Sequence, residues 1–171
     1  YLTFIRSTPP ILLILFFYSL LPSILNSLLQ ATSINVFDIP PIFYAFIIFS
    51  LMATASLSEI IRSAILTVDT GQLEAALSIG LSHFQAYRRI IFPQALKSAL
   101  PNLCNLVINL VRGTSLVFVM TVKDITAIAK IEAAYGYQYF ESYFVIFIIY
   151  IIICGIIQLL FSWLENRAAI A

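Results

Sequence analysis

Charge is what this sequence lacks most. Nine basic and eight acidic side chains make up 10% of its 171 residues, against 61% hydrophobic residues and a mean hydropathy of +1.01. That balance excludes a soluble globular domain and describes an integral membrane protein. The net charge of +1 provides no field that would gather nucleic acid. Histidine occurs once, at His83, within a polar interval where it reads as a solvated surface residue. The two cysteines, Cys104 and Cys154, both fall inside apolar runs, where a lone thiol behaves as a small core hydrophobe. Neither a metal set nor an intramembrane nucleophile can be assembled from this inventory, so no catalytic and no metal-binding residues are assigned. The glycine-rich GxxxxGK[ST] signature that cradles nucleotide phosphates is absent as well. The opening residues, YLTFIRSTPP, lack the positive end, apolar middle and small-residue cleavage site of a signal peptide.

What is present is a series of long apolar runs. Residues 11–29 carry no charge, and Pro22 and Asn26 inside them are of the kind tolerated where a neighbouring helix satisfies the freed polar groups. A kink is expected near Pro22. Residues 30–41, QATSINVFDIPP, read as a short loop. The second run, from residue 42, ends near Glu59 and Arg62, three apart on one helical face. This pair suits first a helix-end ion pair near the interface, and second a part in gating or subunit contact. A third span fits residues 98–120. Residues 121–141 collect Lys123, Asp124, Lys130, Glu132 and Glu141 and can include a short helix. The last run, residues 143–161, is wholly uncharged. Expected spans are therefore about 9–29, 42–62, 98–120 and 143–161, within one transmembrane domain covering 1–171.

The third span has its polar residues in register. Ser98, Asn102, Asn105, Asn109 and Arg112 are separated by four, three, four and three, which puts them on one helical stripe opposite Leu106, Val107, Leu110, Val111 and Val117. A charged side chain at mid-membrane costs at least about 2.5–3.5 kcal/mol on insertion scales, so the stripe faces protein or water and not lipid. Either Arg112 lines a polar path, with Asn105, Asn109, Thr114 and Ser115 beside it, or it satisfies helix carbonyls or an acid such as Glu59 or Glu132.

Four spans leave both chain ends on one side. Arg6, Arg62, Arg88, Arg89, Lys97 and Arg167 fall on that side and only Lys123 and Lys130 on the other, which puts the interval 67–93 in the cytoplasm. This interval is the one substantial polar interruption. EAALSIG favours a short helix ending at a glycine turn, with Thr70 placed to cap it and Glu74 near its positive end. Beyond the turn, Phe84, Tyr87, Ile90 and Ile91 recur at helical spacing, and Pro93 suits the first turn of the next helix.

The residues Glu74-Ala75-Ala76, Gly80, Ile90 and Pro93 stand at the spacings of the EAA loop of ATP-binding cassette (ABC) importer permeases, whose pattern is Glu-Ala-Ala, three residues, Gly, nine residues, Ile, one residue, Leu-Pro. Phe92 stands where the family usually has leucine. FIRSTPPILLILFF resembles the FxRGTPxLVQLFF entry helix of the polar amino-acid branch, with Ser7 replacing the usual glycine. SEIIRSAI is similar to its AEIxRxxI, and TSLVFVMTVKDI to its TSL-containing helix, where Gly113 precedes Thr114 in place of a larger residue. The resemblance runs from about residue 4 to 167. Members generally carry one further helix upstream, so a five-helix parent with its first span missing here is expected.

The resemblance implies an all-α permease with a cytoplasmic coupling helix, in which Glu74, Ala75, Ala76, Gly80, Ile90 and Pro93 transmit movement from separate ATPases. It implies a second permease subunit in a homo- or heterodimer, two ATP-binding subunits that hold the ATP and Mg, and an extracytoplasmic binding protein delivering a polar amino acid. The setting implied is a bacterial-type inner membrane. Substrate-path candidates are Asn105, Asn109, Arg112, Thr114, Ser115, Glu59 and Arg62. The competing class is a secondary transporter or channel without a motor, whose internal repeats and paired mid-membrane ionisable residues do not occur in this sequence.

Overall fold

A computed structural model describes residues 1–29 and 36–170. Every regular element in it is helical, and no strand occurs among the described residues. Helix α1 (Leu2–Ser7) precedes α2 (Pro10–Leu28), which has Pro10 in its first turn, where a missing N–H costs nothing. Pro22 lies within α2 without ending it. The loop expected over residues 30–41 falls partly outside the described residues. It is followed by α3 (Pro41–Thr67) and α4 (Thr70–Ser78). Next come α5 (His83–Ala86), a π-helical turn (Tyr87–Ile91), α6 (Phe92–Gly113) and a 3₁₀ segment (Thr114–Met120), in unbroken succession. Helices α7 (Ile125–Gly136) and α8 (Tyr139–Ile170) complete the described chain.

Four helices among the described residues are long and apolar enough to cross a membrane: Pro10–Leu28, Pro41–Thr67, His83–Met120 and Tyr139–Arg167. The third begins well before residue 98. Pro93 stands in the first turn of α6, as expected, and the helical path reaches back past it through the π turn and α5 to His83. Phe92 N–H donates five residues back to the Tyr87 carbonyl, and the Gln94 amide nitrogen donates to the Ile90 carbonyl at 3.1 Å. These two bonds cover carbonyls around the position where Pro93 has no N–H to offer.

The chain divides into two compact units. One comprises Tyr1–Ala55 and Asn109–Cys154. Its core is Ile14, Val36, Tyr44, Ala45, Ile48, Val117 and Met120, and the Tyr44 hydroxyl is satisfied there by donating to the Val36 carbonyl at 2.9 Å. A smaller cluster of Ile5, Leu13 and Ala55 ties α1 to α2 and α3, and the Tyr1 hydroxyl donates to the Leu51 carbonyl. The other unit comprises Ser56–Ile108 and Gly155–Ala171. Ala64 of α3 meets Ala95 and Ala99 of α6 at its centre, small residues that let two helix backbones approach closely.

Candidate functional site

Helix α4 is bounded by two local devices. At its start the cap is Asp69 and not Thr70: the Gly71 N–H donates to Asp69 Oδ1 at 2.7 Å, while Thr70 is already helical. A carboxylate outcompetes a hydroxyl for this position because it meets the positive helix end with a full charge. At its end Gly80 adopts φ +87°. Gly80 N–H donates to the Leu77 carbonyl at 3.0 Å and Leu81 N–H to the Ala76 carbonyl at 3.2 Å, the bond pair of a Schellman motif with glycine in the left-handed position. The chain then restarts through a capping box, Gln85 N–H donating to Ser82 Oγ at 3.3 Å and Ser82 N–H to Gln85 Oε1 at 2.9 Å.

The two turns fold α4 back against α5 and the π turn. Ala76 and Ala86 are fully buried and Ile91 nearly so, while Ile90 is half-buried. The second alanine of the Glu-Ala-Ala triplet is thus a packing residue, and Glu74, Ala75, Gly80 and Pro93 are exposed. Glu74 makes no side-chain hydrogen bond or ion pair among the described residues. Beside Gly80, Ile79 is 77% and Phe84 72% exposed. Sequence reasoning did not assign these two a role. The signal available was two large apolar residues flanking the glycine turn of an otherwise polar interval.

Along α6 the expected stripe is exposed at Asn102, Asn105, Asn109 and Arg112 and half-buried at Ser98, while Ala95, Ala99, Cys104 and Ile108 are buried. The Arg112 guanidinium has no hydrogen-bond or ion-pair partner among the described residues. Thr114 Oγ1 donates to the Val111 carbonyl and Ser115 Oγ to the Arg112 carbonyl, both at 2.7 Å, so their hydroxyl protons are engaged within the helix. Such bonds three residues back suit the tighter 3₁₀ winding that begins at Thr114. Gly113 sits where the change occurs, and a Cβ there would lie 3.0 Å from Phe49 Cε1 of α3.

Glu59 and Arg62 pair with each other on α3. Arg62 Nε donates to Glu59 Oε2 at 3.1 Å and Nη2 to the other carboxylate oxygen. This two-pronged contact neutralises both side chains locally.

The sequence matches the family model described as binding-protein-dependent transport system inner membrane component over residues 1–170. It is 39% identical over 165 residues to a probable amino-acid permease protein, YxeN, of Bacillus subtilis (strain 168), covering 95% of this chain and 70% of that relative. It is 35% identical over 167 residues to a probable amino-acid ABC transporter permease protein, PatM, of Vibrio harveyi, covering 98% and 71%. A crystal structure of an amino acid ABC transporter with histidines superposes with a TM-score of 0.78 at 34% identity, over 98% of this chain and 73% of that one. With the glycine-closed helix of the EAA loop and four candidate membrane helices in place, the chain belongs to the family of inner membrane components of binding-protein-dependent transport systems, the permeases of ABC importers.

Proposed function

We propose that this permease of the amino-acid ABC importer class forms one half of a path for a polar amino acid and couples it to ATP hydrolysed elsewhere. The observation that carries the reading is one unbroken helix, His83–Met120, which starts at the turn after α4 and bears the polar stripe further along. A displacement of α4 enters that helix at its first turn.

In this reading α4 lies in the cytoplasm, the side selected by the basic residues. It docks on an ATP-binding subunit through Glu74, Ala75, Ile79 and Phe84, while Gly80, Ile90 and Pro93 shape the turn and the return to the membrane. ATP and Mg are held by two such subunits, and this chain is a non-catalytic component. A second permease subunit, identical or related, covers the stripe from the other side. An extracytoplasmic binding protein delivers the substrate. Asn105, Asn109 and Arg112 face the path, and Arg112 is free to meet the carboxylate common to all amino acids through two parallel hydrogen bonds. Thr114 and Ser115 shape the end of the stripe. Glu59 and Arg62, already paired, stiffen α3 and offer the path little free charge.

The test is uptake and ATP hydrolysis measured together in proteoliposomes holding the assembled transporter. Variants at Glu74 or Gly80 lose both substrate-stimulated hydrolysis and uptake, and variants at Arg112 keep basal hydrolysis while uptake falls. Wild-type uptake in Glu74→Lys and Gly80→Leu together would remove the coupling assignment.

A further inference from the structure

The corner between α7 and α8 is crowded with exposed aromatic rings. Residues 135–144, YGYQYFESYF, contain four tyrosines and two phenylalanines. Tyr135 is 82%, Tyr137 87% and Phe140 79% exposed, and Phe140 stacks on Phe144 with ring centroids 6.4 Å apart. Tyr137 is held at φ 54°, a left-handed conformation rarely adopted by a bulky residue, at the point where α7 stops. Helix α7 itself shows an apolar face, with Ile125, Ile128 and Ile131 exposed in register with Tyr135.

The helix that follows fixes the level of this corner in a bilayer. Residues 143–161 are nineteen residues without charge, about 28 Å of helix at 1.5 Å per residue, close to the roughly 30 Å hydrocarbon core. Tyr143 therefore stands at one membrane–water boundary. At the far end of the same helix Trp163 lies beneath the Arg167 guanidinium, 4.1 Å from ring centre to carbon, an aromatic–cation pair suited to the opposite boundary. Tyr135, Tyr137 and Phe140 then lie just outside the hydrocarbon. Tyrosine fits that level because its ring is apolar and its hydroxyl is wet. The charges nearby, Lys123 and Lys130 against Asp124, Glu132 and Glu141, leave a net of −1, so only a weak electrostatic complement for a charged protein partner is presented.

We propose that the α7–α8 corner is a lipid-interface anchor, with its tyrosines in the headgroup layer and the Ile125, Ile128 and Ile131 face of α7 on the acyl-chain boundary. Its consequence reaches the third span. Helix α7 packs on the 3₁₀ segment, with Lys130 Nζ 3.4 Å from the centre of the Phe118 ring, so an anchored α7 holds the end of that helix at a fixed depth.

The experiment is nitroxide accessibility on the assembled transporter in lipid nanodiscs, with cysteine-free partner subunits and Cys104→Ser and Cys154→Ser in this chain. Single labels are placed through Ile128→Cys, Tyr137→Cys and Phe140→Cys, with Lys123→Cys as the aqueous reference and Ile152→Cys as the mid-membrane reference. Only variants that retain uptake are scored, and the three positions are independent of one another. The expected result is an oxygen-to-nickel collision ratio several-fold above that of Lys123→Cys and below that of Ile152→Cys. A ratio equal to the aqueous reference overturns the anchor. Protection from both oxygen and nickel also overturns it, because it means that protein, a second copy or a partner, covers the corner.

Discussion

Replacing Gly80 tests the coupling turn with little interference from packing. Its φ of +87° lies where an L side chain is strained, yet a Cβ built there meets nothing within 4 Å. Substitution therefore carries a dihedral cost with no clash added. Holding an ordinary residue left-handed costs about 1–2 kcal/mol, and each 1.4 kcal/mol is a factor of ten in an equilibrium. Gly80→Ala should thus open the α4 turn about tenfold more often, breaking the Gly80–Leu77 and Leu81–Ala76 bonds. Gly80→Asn should cost less, because asparagine visits this region more readily, and Gly80→Val more, because it is β-branched. The turn lies outside the four membrane spans, so assembly should be unchanged. Amide exchange at residues 80 and 81 and uptake per ATP hydrolysed, both measured on the reconstituted transporter, should fall out in the order glycine, asparagine, alanine, valine. Wild-type behaviour of the valine variant, or equal losses in all three, would refute the account of the turn.

Other expectations follow from the same geometry. Arg112→Leu should insert at least as well as the parent and keep basal ATP hydrolysis while uptake falls, and Arg112→Lys should recover part of it, since an ammonium keeps the charge and loses the planar fork. Uptake equal to the parent in the leucine variant would sink the path assignment. Gly113→Ala should lower thermal stability in detergent by about 1–3 kcal/mol through its 3.0 Å approach to Phe49, and Phe49→Leu should restore most of that loss. Asp69→Ala should cost about 1 kcal/mol of helix stability as a lost cap, with faster amide exchange in the first turn of α4. With the native cysteines removed, Ser82→Cys should react with an impermeant thiol reagent only from the cytoplasmic side and Lys123→Cys only from outside. The reverse pattern would overturn the sidedness.

The parts of this architecture that were legible in the sequence are those set by neighbours in the chain. Gly80 after a run of helix formers announced the end of α4, and the Glu59–Arg62 spacing announced a contact across one helical turn, which the structure fills with a two-pronged ion pair. The stripe on α6 followed from the four-three spacing alone, and its outward face agrees with the burial of Ala95, Ala99, Cys104 and Ile108 behind it. Less legible was anything that depended on competition between signals. Pro93 read as the first turn of a helix and stands in the first turn of α6, but the π turn that joins α5 to it, and so carries the helical path back to His83, had no signal in the sequence. Asp69 and Thr70 are both good caps standing side by side, and the position goes to the carboxylate, the stronger of the two. Arg112 was ambiguous for a different reason. A sequence does not show which acids approach a given arginine, and the structure gives it none among the described residues.

The long helix departs from α geometry at two places, and both lie where a departure is tolerable. The π turn Tyr87–Ile91 carries Arg88 and Arg89, both exposed, so its loosened carbonyls can reach water. The 3₁₀ segment Thr114–Met120 is lined by buried Val117 and Met120, so its backbone is covered by protein in place of lipid. Between them α6 runs for 22 residues, about 33 Å, a length comparable to the hydrocarbon core, with Pro101 inside it withholding one backbone donor. On the proposed coupling a movement enters at the π turn, and Arg112 lies on the last turn of α6, just before the winding changes at Gly113.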